Sequence, residues 1–518
     1  MSKMLKSSGA MAAATLISRL LGMVRVMVYA RFMGDGWVAG AFTFAFQVPN
    51  LFRRLLGEGA LTAAFIPVFK EKEKIHGEKE MWRAANAVIS GLVIAASVII
   101  GLAMLGISLA LAVHQFEAKT DLMLRLLRVM FPYMLLVCVA AVMMGMLNAR
   151  GHFFIPAMGA TMLNVVMIAS VLFLAPHMGQ KKEEQIFALA IGVLVAGVAQ
   201  AGFQLPTLWR DGFKWRWVSP WGDETVRRVI RQMIPGTIGI AAFQINVLMT
   251  QSVAFMFDPQ INASFEYAVR LMELPQGMFG ISLATFLLPT LSALALEKNY
   301  VEFKSTMRQG LGTMLFANLI ASVLLVVLAL PIVRLLLERG EFTPGSTERA
   351  AFALECLAPG LVSFSTVNIL ARAFYALNDT KTPMKISIFC LCLNLPLSVV
   401  LVWQLRQGGL GIANTITSMI NLTLLVYALR RKLKSLELES LQKTFLPLAL
   451  ATALAGIVAW LGWRWWESSL GHGTLALRIG AVFVPATVAG LCYWLTVLAA
   501  RIPAAKEITE LVLRRARR

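Results

Sequence analysis

The chain has 518 residues, of which 58% are hydrophobic and 15% are charged, and its formal net charge is +20. A water-soluble core could not enclose so many apolar side chains, so the composition excludes a soluble enzyme and indicates a polytopic membrane protein. The positive charge does not indicate nucleic-acid binding. Basic blocks such as residues 430–435 adjoin apolar runs, as is typical of loops that face an anionic cytoplasmic leaflet.

The apolar runs predict about fourteen transmembrane helices, since about 20 apolar residues are needed to span a bilayer. In chain order the predicted spans cover residues 9–32, 37–69, 85–114, 121–148, 155–176, 186–208, 224–256, 263–296, 308–338, 348–377, 384–404, 409–430, 444–464 and 475–500. Several exceed the minimal length and contain glycine or proline, which predicts bends or extensions beyond the bilayer. The expected fold class is therefore an all-α polytopic membrane protein.

The distribution of lysine and arginine predicts the orientation of the chain. With a cytoplasmic N-terminus, the cytoplasmic segments hold about three times as many of these residues as the outer segments, which is the bias that membrane proteins show. Both termini are therefore predicted to be cytoplasmic. No loop exceeds about fifteen residues, and none carries a Ser/His/Asp set, a metal-ligand cluster or a glycine-rich phosphate loop. The sequence predicts neither catalytic residues nor a metal site.

An internal repeat predicts how the spans are organised. LTAAFIPVFKEKEK (61–74) resembles LATFLLPTLSALAL (283–296), and LNARGHFFIPAM (147–158) resembles ALNDTKTPMKIS (376–387). Both pairs are separated by roughly 225 residues, or six predicted spans, and an even number of spans gives two halves of the same orientation. Chance resemblance between apolar sequences is the alternative explanation.

The repeat predicts two parallel six-helix lobes around a central cavity, an architecture typical of transporters that work by alternating access. The expected boundaries are residues 1–215 for the N-lobe (spans 1–6), 216–435 for the C-lobe (spans 7–12), and 436–518 for a two-helix C-terminal hairpin (spans 13–14) with a basic tail. The hairpin could build a groove that faces lipid, or it could simply pack on the outside of the core.

Charged residues within the predicted spans indicate where a ligand binds. They are concentrated on spans one, two and eight, and include Arg19, Arg25, Arg53, Arg54, Glu58, Arg270 and Glu273. An arginine inside a bilayer must face protein, water or an anionic partner. Because spans two and eight are equivalent in the repeat, we expect these residues to share a cationic cavity between the lobes, whose natural ligand is an anion.

Two of these arginines have acidic neighbours on the same helix. Glu58 follows Arg54 by four residues, and Glu273 follows Arg270 by three, so each pair can form along one helix face. Such pairs would only orient the ends of their spans. Arg54 and Glu273 are therefore candidates for structural ion pairs.

Arg19 and Arg25 differ, because neither has an acidic residue within one helical turn, and this favours an external anion. Six residues along an ideal helix correspond to a rise of about 9 Å and to directions about 120° apart. The two arginines therefore line a wide cavity, or Gly22 between them allows a bend. Arg31 lies near the outer end of the span, where it is expected to reach the interface as an anchor.

Polar side chains in the spans offer a second set of contacts. Ser18 and Asn50 lie beside the arginines, and Asn164, Gln244, Asn246 and Asn394 lie in other spans. They could donate hydrogen bonds to a sugar or peptide headgroup, although such residues more often join helices to one another. Ser18 and Asn50 are included among the candidate substrate-binding residues.

At these residues the sequence resembles the MurJ (MviN) family of lipid II flippases, within the multidrug/oligosaccharidyl-lipid/polysaccharide exporter superfamily. The matching stretches are SRLLGMVR (18–25), PNLFRRLLGEGALTAAFIPVF (49–69), YAVRLMELPQGMFGISLATFLLPTLS (267–292), LERGEFT (337–343) and FYALNDTKTPMKI (374–386). They cover both predicted lobes, and the number of predicted spans agrees with the family.

The resemblance implies a transporter of the bacterial inner membrane and not an enzyme. Its substrate would be lipid II, an undecaprenyl-pyrophosphate-linked disaccharide-pentapeptide, carried from the cytoplasmic to the periplasmic leaflet. Lipid II, membrane lipids and the cell-wall synthesis machinery are the implied partners, and no cofactor is expected. The resemblance further implies that Arg19, Arg25, Arg53 and Arg270 line the central cavity and that Glu58 belongs to it.

The sequence departs from the family pattern in the first two spans. Val26 and Gly40 stand where many relatives carry acidic residues, which makes the expected cavity more purely cationic. Some relatives bind a sodium ion in the second lobe through acidic and amide side chains. Span seven here has no acidic residue inside it, which disfavours a sodium site and favours the membrane potential as the driving force.

Three other classes of membrane protein are alternatives. A flippase for another polyprenyl-pyrophosphate oligosaccharide, of O-antigen or teichoic type, would share the architecture. A cation-coupled drug exporter would be expected to carry acidic residues instead of arginines in the first lobe. An integral-membrane glycosyltransferase would need a catalytic acid in a sizeable outer loop, and the outer loops here are short.

Overall fold

The computed structural model of the protein describes residues 2–52, 54, 61–436, 439–503 and 505, and every regular element in these ranges is helical. The helices up to residue 257 are α1 (Ser2–Met33), α2 (Trp37–Phe52), α3 (Leu61–Val113), α4 (Ala118–Met130), α5 (Tyr133–Ala149), α6 (Phe154–Ala169), α7 (Lys182–Gln185), α8 (Phe187–Arg210) and α9 (Glu224–Phe257). The later helices are α10 (Pro259–Pro275), α11 (Ser282–Leu296), α12 (Tyr300–Val327), α13 (Ala329–Leu337), α14 (Pro344–Leu357), α15 (Gly360–Ala376), α16 (Lys381–Leu405), α17 (Gln407–Leu433), α18 (Glu439–Ser469) and α19 (Leu475–Ala499). The predicted all-α class is confirmed.

Eight helices in the described part of the chain are long and apolar enough to cross a membrane, or ten if each of two bent pairs is one span. The bent pairs are α4 with α5, at 41°, and α14 with α15, at 46°. Pro132 and Pro359 precede the second helix of each pair as its N-cap. Proline cannot donate a backbone hydrogen bond to the preceding turn, which explains both breaks. The count of fourteen spans stays a prediction.

The segment 70–84, which lies between predicted spans two and three, is helical. It belongs to α3, which is interrupted only at Gly77, where φ is 82° and ψ is 176°. Glycine adopts a positive φ without steric cost, so the chain can change direction there. The flanking sequence is rich in lysine and glutamate, which are good helix formers, and Lys70 pairs with Glu73 one turn later at 2.8 Å. The polar connection is therefore built from two helical segments.

The chain divides into two compact units, residues 1–263 and 264–518. In the first unit, α9 packs on α2 and α3, although the sequence assigns this helix to the second repeat. Packing shows which helices are in contact in this structure, and not to which repeat they belong. The lobe boundaries at residues 215 and 435 therefore remain predictions.

The core of the first unit has two parts. One cluster includes Phe42 of α2, Leu126 of α4 and Tyr133 of α5, all at most 2% exposed. The other joins α3, α5 and α8, with Phe69 and Trp82 in contact at 5.6 Å between ring centroids. Phe69 and Trp82 lie at or beyond the ends of the predicted spans. Burying one such side chain from water is worth about 1.5–3 kcal/mol, and this burial holds these helix ends together.

In the second unit, α11, α12, α15 and α17 share one cluster, and the hairpin of α18 and α19 packs on α12. The contact with α12 is specific, because the Tyr493 hydroxyl donates a 2.7 Å hydrogen bond to the Phe316 carbonyl oxygen, and the two rings lie 5.4 Å apart. The hairpin is thus attached to the second unit along a defined helix.

Candidate functional site

Arg19 and Arg25 lie on one continuous helix, because α1 is helical from Ser2 to Met33 and Gly22 does not break it. The Arg25 guanidinium lies 5.6 Å from the centre of the Tyr29 ring, one turn later, and this ring meets Phe42 of α2 edge-on at 6.0 Å. A cation over an aromatic face is attracted by the ring quadrupole. Arg25 is therefore held along α1 on the side where α2 packs.

Arg19 is half-buried, and no ion pair joins it to any side chain that the structure describes. On an ideal helix it faces a direction about 120° from that of Arg25. An arginine in this setting keeps all five guanidinium donors available for an anion. The sequence predicts no acidic partner for Arg19 within α1, and none of the other described helices supplies one.

The polar neighbours of these arginines have different roles. The Asn164 side-chain amide of α6 donates a 3.2 Å hydrogen bond to the Ser18 backbone carbonyl, so Asn164 joins α6 to α1. Ser18 takes part through its backbone and not through its hydroxyl. Asn50 lies in α2 and is 6% exposed. Arg54 is half-buried, whereas Arg53 and Glu58, two of the predicted site residues, lie outside the described residues.

Arg270 lies in α10 between two carboxylates. Its Nη1 is 2.9 Å from Glu273 Oε2, as the spacing in the sequence predicts, and its Nη2 is 2.7 Å from Glu266 Oε1. Glu266 was not among the predicted residues, although its position four residues before Arg270 places it on the same helix face. The local formal charge of the three side chains is therefore negative, and the arginine is compensated within its own helix.

The candidate residues are distributed over both units. Arg19, Arg25, Ser18 and Asn50 lie in the first unit, and Arg270 and Glu273 lie in the second. Each group is described within its own unit, and the convergence of the two groups on one cavity stays a prediction.

Gly40 lies directly against the turn between α9 and α10. A Cβ atom at position 40 would lie 2.2 Å from the carbonyl oxygen of Pro259, which leaves no room for any side chain. The same contact region includes Phe44 and Phe255, whose rings stack at 5.1 Å. Glycine at position 40 thus permits a close approach of the Pro259 backbone to α2.

A polar network joins three helices at the predicted cytoplasmic side of the first unit. Arg150, which follows α5, contacts Glu73 and Glu78 of α3 at 2.6 and 2.9 Å, and its Nε lies 3.9 Å from Asp211 after α8. Hydrogen bonds from Lys70 and Arg150 outweigh burial and lower the pKa of Glu73. This network joins residues far apart in the sequence, so no local spacing could predict it.

A second network joins the hairpin to the rest of the second unit. Glu338, after α13, is 3.2 Å from Arg478 of α19, and Arg334 of α13 is 2.9 Å from Glu467 of α18. His472, in the turn of the hairpin, lies 2.6 Å from Glu467. These contacts attach α18 and α19 at the end that the sequence predicts to be periplasmic.

Comparison with known proteins identifies relatives along most of the chain. A family model described as "Lipid II flippase MurJ" matches residues 29–480. A probable lipid II flippase MurJ of Vibrio cholerae is 34% identical over 83% of this chain and 85% of its own length. A probable lipid II flippase MurJ of Haemophilus influenzae is 33% identical over 86% of this chain and 90% of its own length.

Two solved structures are similar in fold. A lipid II flippase MurJ in an inward closed conformation has a TM-score of 0.75 and 22% identity, and the match covers 94% of this chain and 99% of that one. A multidrug resistance transporter of the MATE family in an inward-facing conformation has a TM-score of 0.66 and 15% identity, with 83% and 99% covered. At these identities the similarity establishes the fold alone.

Proposed function

The chain belongs to the lipid II flippase MurJ family, and we propose that it moves lipid II from the cytoplasmic to the periplasmic leaflet by alternating access. The observation that carries this proposal is the match to the family through residues 29–480, with relatives named as lipid II flippases at 30–34% identity. The chain is a multi-pass membrane protein. In the proposal it lies in the inner membrane with both termini in the cytoplasm, and it transports its substrate without chemical change.

The arginines of the first unit supply the chemistry that the substrate requires. Lipid II carries a pyrophosphate, whose two negative charges must be stabilised away from water during the crossing. Guanidinium groups suit this task, because their planar fork binds two oxygens at once. Arg19 has no acidic partner among the described side chains, and Arg25 is held by a ring without losing its charge. We assign these two residues, with Arg53 and Arg270, to the pyrophosphate.

The membrane potential is the proposed driving force. A cavity that is cationic when empty and neutralised when loaded carries its net charge only on the return step. Each elementary charge that moves inward across a negative-inside potential gains about 2.3 kcal/mol per 100 mV. Span seven offers no acidic ligand between Thr225 and Phe257, so the proposal needs no sodium ion.

Replacement of the resident flippase tests the function. Cells depleted of their own lipid II flippase should recover growth and shape when this chain is expressed. Membrane insertion is checked by immunoblot of the membrane fraction. Failure to restore growth with normal insertion contradicts the assignment of lipid II, and restoration of O-antigen or teichoic-acid export in the corresponding depleted cells would assign that substrate instead.

The fold shared with a MATE-family structure makes a drug exporter the competing class. The two classes differ in the charge of the first-unit cavity, since a cation exporter requires acidic residues where this chain has Arg19 and Arg25. Sensitivity of cells to cationic dyes should therefore be unchanged by expression of this chain. Increased resistance to such dyes would favour the exporter.

A further inference from the structure

The accessible face of α10 carries a row of three charged side chains. Glu266, Arg270 and Glu273 follow one another at intervals of about one turn, and their side chains are 24%, 28% and 45% exposed. The rest of the helix surface is fixed, because Ala268 and Leu271 are buried and Tyr267 packs edge-on against Phe342 at 5.2 Å. The rotation of α10 is thus set by its buried face, and the charged row is left accessible.

The two carboxylates hold different corners of the same guanidinium. Glu266 contacts Nη2 at 2.7 Å, and Glu273 contacts Nη1 at 2.9 Å. Glu273 is about twice as exposed as Glu266, so water can replace its contacts at lower cost when it leaves. Glu266 is the more buried of the two carboxylates, so it is the one that stays in contact with Arg270.

Resting on the proposed function, we infer that Glu266 is a positioning residue that orients Arg270, and that Glu273 is the carboxylate which the substrate pyrophosphate replaces. The pyrophosphate offers several anionic oxygens on two linked phosphates, and one of them can take the Nη1 donor while Nη2 stays on Glu266. When the substrate leaves, Glu273 returns. Arg270 therefore exchanges one anion for another and is never left as a bare cation inside the protein.

This inference gives opposite predictions for the two acids. Glu273→Gln removes the competing anion, so the affinity for undecaprenyl pyrophosphate should rise about tenfold, while release and turnover slow. Glu266→Gln removes the charge that orients the fork, so the affinity should fall about tenfold. Glu266→Asp keeps the carboxylate and should remain within about twofold of the unsubstituted protein.

Binding is measured on the full purified chain with undecaprenyl pyrophosphate as the probe and undecaprenol as the uncharged reference. Glu297→Gln is the matched control, because Glu297 is an exposed glutamate at the end of α11 in the same unit. Thermal unfolding of each variant establishes that it is folded before its affinity is compared. The substitutions at residues 266 and 273 should change the affinity for undecaprenyl pyrophosphate and leave the affinity for undecaprenol unchanged.

The assignment is overturned if Glu266→Gln and Glu273→Gln shift the affinity in the same direction, or if both match Glu297→Gln. It is also overturned if the affinity for undecaprenol changes by the same factor as the affinity for undecaprenyl pyrophosphate. If the unsubstituted chain neither prefers undecaprenyl pyrophosphate to undecaprenol nor restores growth to depleted cells, the proposed function itself fails. Growth restored by the unsubstituted chain, with variants that do not differ, removes only the exchange at Arg270.

Discussion

Gly40 of α2 and Pro259 at the start of α10 are so close that a Cβ atom on Gly40 would lie 2.2 Å from the Pro259 carbonyl oxygen. This contact brings the turn after α9 against the end of α2 that the sequence predicts to be periplasmic. Because backbone, and not a flexible side chain, fills the space, the contact cannot adapt to a larger residue.

Gly40→Ala should therefore disrupt this packing. We expect a loss of about 1–3 kcal/mol of stability in the described state, since overpacking forces backbone shifts of this cost. Thermal unfolding in detergent measures the change. Gly101→Ala is the control, because nothing lies within 4 Å of a Cβ atom at residue 101. Equal melting temperatures for the two variants would show that the close contact does not constrain the protein.

Arg19→Ala and Arg25→Ala should each abolish transport while leaving the protein in the membrane. Each removes a fixed cation that the proposal assigns to the pyrophosphate. The lysine variants should retain part of the activity, because a point charge replaces a two-pronged donor. Growth of depleted cells and lipid II accessibility at the outer leaflet measure the effect. Normal flipping by both alanine variants would refute the role of α1.

Tyr29→Phe provides a control for Arg25. The phenyl ring keeps the face over which the guanidinium lies, so transport should be nearly unchanged, whereas Tyr29→Leu removes the ring and should weaken transport. The expected loss corresponds to about 0.5–2 kcal/mol, the range of a cation–π contact. Equal activity of the phenylalanine and leucine variants would contradict a contribution of the ring.

Asp379 and Lys432 should make stability depend on pH in acid. Lys432 Nζ lies 2.6 Å from Asp379 Oδ2. Burial alone would raise the pKa of Asp379, but hydrogen bonds from Lys432 and Thr382 outweigh it and lower this pKa to about 2. Because the folded-state pKa lies below the unfolded value of about 3.9, the contribution is present above pH ~4 and is lost as the pH falls through about 2.

Asp379→Asn should accordingly cost about 1 kcal/mol at pH 7, a modest figure because Lys432 is more than a third exposed and the pair is screened by water. The difference from the unsubstituted protein should shrink in acid. Chemical unfolding at pH 7 and at pH 3 compares the two. A difference that is constant with pH would mean that Asp379 titrates normally.

The Glu338–Arg478 pair should hold the hairpin against α13. Glu338 is 11% exposed and also accepts a 2.9 Å hydrogen bond from the Thr347 hydroxyl, so Glu338→Gln leaves Arg478 without its carboxylate. We expect a loss of about 1–3 kcal/mol. Hydrogen exchange in residues 470–474 should accelerate in this variant and much less in Glu439→Gln, an exposed acid at the start of α18. Unchanged exchange would show that Tyr493 and its neighbours suffice to hold the hairpin.

Much of the helical framework could be predicted from the sequence, because helix length in a membrane is set by apolar run length. The predicted span 475–500 corresponds to α19 (Leu475–Ala499), and 224–256 corresponds to α9 (Glu224–Phe257). The helical form of segment 70–84, between predicted spans two and three, was not predicted, and the reason is physical. Charged residues mark the end of a span, but lysine and glutamate also favour continuation of a helix into water.

Some contacts of the candidate site were predictable from the sequence, and others were not. The Arg270–Glu273 pair was predictable, since residues three apart on a helix are neighbours. The carboxylates around Arg150 and the approach of Pro259 to Gly40 were not, because they join residues between 70 and 220 positions apart, and their meeting depends on packing. Arg53 and Glu58 lie outside the described residues, so their part in the site rests on the sequence.

The two bent pairs of helices carry a further consequence. Pro132 precedes α5 and Pro359 precedes α15, and the two prolines are separated by roughly the same 225 residues as the repeated motifs. The bends of 41° and 46° thus fall on predicted spans four and ten, which the proposed repeat makes equivalent. A bend next to a proline therefore occurs at matching positions of the two predicted repeats. Each predicted half bends at its own proline. A substitution that straightens one helix pair can therefore be matched by the same substitution at the corresponding proline of the other pair.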